Sequence, residues 1–123
     1  MTAPSESPAD AGVRLAAEYV QLLRADRTAD AEQLLAGLSD LRELAFVGSA
    51  LTTTGRRTGR TLPTAMRAQS SSRQVLLGQL RDRNRGDVEG LRSWVRKAAE
   101  EVVLVEQYAE AARRRLGDQS QVS

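Results

Sequence analysis

In residues 91–116, LRSWVRKAAEEVVLVEQYAEAARRRL, an apolar side chain recurs at alternating steps of four and three: Leu91, Val95, Ala98, Val102, Val105, Ala109, Ala112 and Leu116. That 3.5-residue spacing is the seam of a helix that lies along another helix. The one β-like run, Glu101 to Val105, sits inside this pattern, and the length of the pattern decides for helix. Several seam positions are Ala, which buries far less area than Leu, so a coiled-coil dimer held by this seam alone is weak. The seam is therefore read as the spine of a bundle within the chain. Trp94 and Tyr108 lie on its flank, where they either widen the buried stripe or anchor a partner helix. The candidate helix-interface residues are Leu91, Trp94, Val95, Val102, Val105 and Tyr108.

Upstream, Ser7-Pro8-Ala9-Asp10 supplies a cap, a proline at the first helical position and an acid in the first turn, and Val13, Ala16, Ala17, Val20 and Leu23 share one face to about Arg24. Ala31 to Leu38 is a short helical pattern. Asp40-Leu41-Arg42-Glu43 has capping-box spacing, and its stripe continues to about Thr52 with Gly48 allowing close helix approach. The two pieces are either one kinked helix or two, and the kinked helix is preferred. Three Thr, two Gly and a Pro make residues 52–63 a predicted loop. A third helix begins at Pro63-Thr64 and ends near Asn84; Asp87 caps the last, and Gly117 stops it. The expectation is an all-α fold: an antiparallel four-helix bundle with a long C-terminal helix and a basic central loop. Residues 1–6 form a disordered tail, 7–117 a single helical domain and 118–123 a frayed tail.

A chain of 123 residues holds one core. With so few aromatics that core is Leu, Val and Ala, which suits packed helices. There is no cysteine and no histidine. This removes thiolate chemistry, Ser-His-Asp catalysis and the Glu-x-x-His pairs of carboxylate-bridged metal sites in bundles. No catalytic residue, metal ligand or cofactor is expected. No apolar run reaches the roughly 18 residues of a membrane span, and the polar, acidic N-terminus does not resemble a secretory signal, so a cytoplasmic protein is expected. Glu100, Glu101, Glu106 and Glu110 read as a solvated helix face, paired with Arg96, Lys97 and Arg113 along the same helix.

Charge falls in three blocks. Residues 1–54 carry a net −4, residues 55–85 a net +7 and residues 86–123 a net −1. Lys97 is the one lysine among 18 basic residues. This arginine bias, with abundant Ala, Gly and Val, fits the codon usage of a high-GC bacterium or its phage. It also fits phosphate recognition, for which Arg is the better fork. Arg56, Arg57, Arg60, Arg67 and Arg73 are the candidate polyanion-binding residues, without aromatic platforms for stacked bases. The competing interpretation pairs the basic third helix with the acidic first helices across the bundle. Within the basic segment, Leu51-Thr-Thr-Thr-Gly-Arg-Arg-Thr-Gly-Arg60 resembles a piece of the deazaflavin-dependent nitroreductases, in which a strand leads into a cofactor-contacting loop of a split β-barrel. The likeness covers ten residues, and the helical patterns on both sides contradict that fold, so it is set aside.

The functional expectation is a small, soluble, non-enzymatic helical interaction or adaptor protein that binds another protein or itself through helix faces. The alternative is a sequence-tolerant nucleic-acid-binding protein that uses the Arg-rich segment 55–85.

Overall fold

The Ser7 hydroxyl accepts a hydrogen bond from the Asp10 amide at 3.1 Å, so α1 (Pro8–Arg24) starts where its cap directs. It ends at Arg24, and the chain turns away at Asp26, whose φ of 58° lies in the left-handed region that Asp tolerates. Then come α2 (Thr28–Ala36), α3 (Leu41–Gly59), α4 (Thr64–Arg83) and α5 (Val88–Val122). This computed structural model describes residues 6–122, with side chains as far as residue 118, and contains no strand among them. The expected N-terminal tail lies outside the described residues except for Glu6, whose carboxylate accepts from the Arg14 guanidinium. No described helix is long and apolar enough to cross a membrane.

Three helix boundaries differ from the sequence expectation. The expected kink is a true break, giving five helices. The Asp40 carboxylate accepts from the Arg42 amide at 2.7 Å and starts α3 afresh. The Arg92 guanidinium, from α5, donates to the Leu38 and Ala36 carbonyls left open at the end of α2. The predicted loop over 52–63 is mostly helix: α3 runs through to Gly59, leaving only residues 60–63 as connection. Thr52 and Thr54 bond back to the Gly48 and Ala50 carbonyls at 2.8 and 2.9 Å, so their hydroxyls are satisfied inside the helix. Finally, α5 continues past Gly117 to Val122, where a stop was expected.

The glycines of α3 show why packing overrides propensity here. A Cβ at position 48 would stand 2.1 Å from Trp94 Cζ3, and one at position 59 would stand 2.5 Å from the Ser70 Oγ. At position 55 it would stand 2.9 Å from Gln74 Nε2. Each Gly costs roughly 1 kcal/mol in a helix; burial of Trp94 and close seating of α4 and α5 offset this. The apolar stripe of α3 (Leu44, Val47, Leu51) completes the contact with Val95, Ala98 and Val102 in the core. The α5 seam is buried from Leu91 to Ala109 and leaves the core before Leu116, which is exposed.

Helix directions match an alternating bundle for α3, α4 and α5 and depart from it at α1. Gly48 meets Trp94, Gly55 meets Val102, and Leu62 clusters with Val105 and Ala109, so α3 and α5 run parallel. Gly12 of α1 lies against Phe46 and Arg24 pairs with Glu106, which gives α1 the same direction. Ser70 meets Gly59 and Arg73 meets Glu101, so α4 runs against both neighbours. The short α2 also returns against α5, held by Arg96 on Glu32 at 2.8 and 2.9 Å. Consecutive helices thus alternate in direction, while the long helices that form most of the core share one.

Two glycines separate these effects. Gly48→Ala drives a methyl into the Trp94 ring and is expected to lower stability by about 3 kcal/mol. Gly78, on α4, has open space around its Cβ position, and Gly78→Ala is expected to raise stability by about 1 kcal/mol. Urea unfolding of both variants measures the difference; equal effects would show that Gly48 is not a packing contact.

Candidate anion-binding cleft

Where the C-terminal turn of α3 passes the N-terminal half of α4, the two helices leave an open cleft of about 310 Å³. Arg56 and Arg60 reach it from the α3 end, and Arg67 faces it from α4, one turn before Ser70 and Ser71 and two before Gln74. The spacing 67, 70, 71, 74 is one face of a helix, and 56, 59, 60 is one face of another. Gly59 and Gly55 let α4 come close enough for Ser70 and Gln74 to be buried beneath the arginines.

The charge around this cleft is uncompensated. Residues 44–81 contain no Asp or Glu. Arg56 and Arg60 have no carboxylate partner among the described residues, and Arg67 donates only to the Thr64 hydroxyl at 2.7 Å. Several acids elsewhere are occupied: Glu32 by Arg96, Glu106 by Arg24 and Asp82 by Arg81 and Arg85. The Arg96 bonds pull the Glu32 carboxyl below its usual range, so that pair stays charged on mild acidification. Arg56 and Arg57 do complement the negative end of the α3 dipole, a modest effect at exposed positions.

Of the five candidate polyanion residues, three share the cleft. Arg57 points to the opposite side of α3, into a groove against α1 lined by Val13, Val20 and Ala50. Arg73 is spent on a structural bond: its Nε donates to both Glu101 oxygens at 2.9 and 2.6 Å, and Glu101 is only 5% exposed. This also corrects the reading of the α5 carboxylates as one solvated face, since Glu101 and Glu106 are held by other helices. The helix-interface candidates Leu91, Trp94, Val95, Val102 and Val105 are all buried within the chain, with Trp94 1% exposed. Tyr108 packs on the small cluster of Leu62, Val105 and Ala109.

The floor of the cleft is the part that sequence reasoning missed. Ser70 and Gln74 are buried, yet neither Gln74 Nε2 nor Oε1 has a hydrogen-bond partner. Their signal was the helical spacing from Arg67, hidden as long as residues 52–63 were taken for a loop that left α3 too short to face them. No group of three or more Asp or Glu is placed to hold a metal ion among the described residues. No protein-family model matches the sequence, and comparison with characterised proteins and with solved structures finds no significant match.

The Arg73–Glu101 pair separates fold from site. Arg73→Ala leaves a buried carboxylate without its cation and is expected to cost about 3 kcal/mol, near the low end for broken buried pairs because Arg73 is partly exposed. Chemical denaturation checks this; a loss under 0.5 kcal/mol would show that Glu101 does not need Arg73.

Proposed function

We propose that this protein is a non-enzymatic polyanion-binding protein that holds the phosphate backbone of nucleic acid without reading sequence. The observation that carries the reading is the convergence of Arg56, Arg60 and Arg67 on one cleft in a stretch free of carboxylates. Exposed guanidinium groups gain by displacing counterions from phosphates, whatever the bases. Contacts to phosphates carry no sequence information, so binding through these arginines is sequence-tolerant. A cytoplasmic site of action is part of this reading.

Fluorescence anisotropy with a short labelled duplex tests this at several salt concentrations. Arg56→Ala/Arg60→Ala/Arg67→Ala is expected to weaken binding and reduce the slope of log K against log salt by about three. An unchanged slope would remove the cleft as the phosphate contact.

The adaptor reading keeps one supporting observation. Val75 and Leu76 are adjacent on α4 and 60% and 61% exposed, beside the cleft and beside a groove containing Leu80 and Leu104. An apolar pair of this kind suits a second copy or a protein partner. Light scattering after size exclusion is expected to show a concentration-dependent dimer that Leu76→Asp abolishes; a monomer at high concentration would end the self-association reading.

A further inference from the structure

We infer that the face between α4 and α5 is a two-fold interface between copies of this chain. The inference rests on the self-association reading above and gives it a register and a charge pattern. It starts from an inversion in α4. That helix turns Ser70 and Gln74 inward, with the Gln74 amide enclosed and without a partner, yet leaves Leu76 61% exposed. An apolar side chain kept in water while polar ones are buried marks a face that something else covers.

Leu76 does not stand alone. It lines a groove with Leu77 and Leu80 of α4 and Leu104 of α5, and Lys97 and Glu100 stand on the α5 side. α4 runs against α5, and Arg73 opposite Glu101 fixes their register. Counted from that pair, Leu76 is level with Ala98 and Leu80 with Trp94. At about 1.5 Å per residue, Leu80 lies ~6 Å to one side of Leu76 and Leu104 ~9 Å to the other. The α5 charges straddle the same level, Lys97 just before it and Glu100 just after. Neither is in an ion pair among the described residues. Glu100 is drawn to Arg96, but that guanidinium is committed to Glu32.

This pattern is its own complement. A two-fold axis crossing the helices at the level of Leu76 reverses their direction. Leu76 then meets Leu76, Leu80 of one copy meets Leu104 of the other, and each Lys97 comes opposite a Glu100. An isologous contact needs such an arrangement, with apolar residues about the centre and opposite charges placed symmetrically around it. A partner of a single charge would meet a like charge at one of the two positions, which counts against it. The groove and the arginine cleft share no lining residue, so α4 carries the cleft on one side and the interface on the other. The dimer therefore keeps both of its clefts open to anions.

The test reverses one charge at a time and then mixes the two variants, with sedimentation velocity on the intact chain as the measure of dimer. Both side chains are exposed, so the variants keep the fold, which circular dichroism checks. Lys97→Glu and Glu100→Lys are each expected to weaken the dimer about tenfold, because two attractions become two repulsions. An equimolar mixture of the two variants is expected to associate as tightly as the native chain. Acids at both positions of one copy then face bases at both positions of the other. A native dimer that neither variant weakens overturns this interface and leaves self-association to another face. A mixture that stays monomeric overturns it as well. A native chain that is monomeric at high concentration overturns both the interface and the self-association reading.

Discussion

The close approach of α3 to α5 at Gly48 and Trp94 is the contact on which the rest of the molecule depends. A single indole fills the space that the missing side chain leaves, and both residues are buried. The indole N–H has no acceptor there, so its apolar area and ring contacts carry the interaction. From this point the register runs up both helices, Gly55 on Val102 and Leu62 beside Val105. α1 is then added across Gly12 and Phe46.

α4 has a different standing. Its buried residues are few, Ser70, Gln74 and Leu77, and two of them are polar. It is held against the core by the Arg73–Glu101 pair and the glycines of α3 more than by an apolar stripe. That weak amphipathicity is what a helix shows when one of its faces serves something other than the core. The cleft lies on this face, and the exposed Val75 and Leu76 lie beside it.

Much of the fold was legible in the residues. Ser7, Asp40 and Asp87 each cap a helix that begins where their spacing placed it, because capping is local and depends on side chains within three residues. The seam from Leu91 to Ala109 was legible for the same reason as its burial, a 3.5-residue repeat. Residues 52–59 were not legible through propensity, since Thr and Gly count against helix whatever they touch. Yet Leu44, Gly48, Leu51, Gly55, Gly59 and Leu62 keep helical spacing, and glycine stands where neighbouring helices come closest. The direction of α1 was not legible, because short links fix only consecutive pairs and α2 with α3 was read as one kinked helix; the break between them adds a reversal and turns α1 parallel to α3. Of the candidate site, the arginines were plain from charge alone. Gln74 had no charge to announce it, and the loss of Arg73 to Glu101 needed the tertiary contact.

Parallel packing of α3 on α5 also sets an order of assembly. Residues 56–74, which build the cleft, are close in sequence and belong to one helical hairpin with a four-residue link, so they meet at a small loop-closure cost. Gly48 and Trp94 are joined by a far longer stretch of chain, and their contact must wait for α4 to reverse direction. Loop-closure cost alone favours the hairpin contacts over the α3–α5 contact, but α4 is anchored through Arg73 to Glu101 of α5, so the cleft takes its final shape only when that distant contact is made.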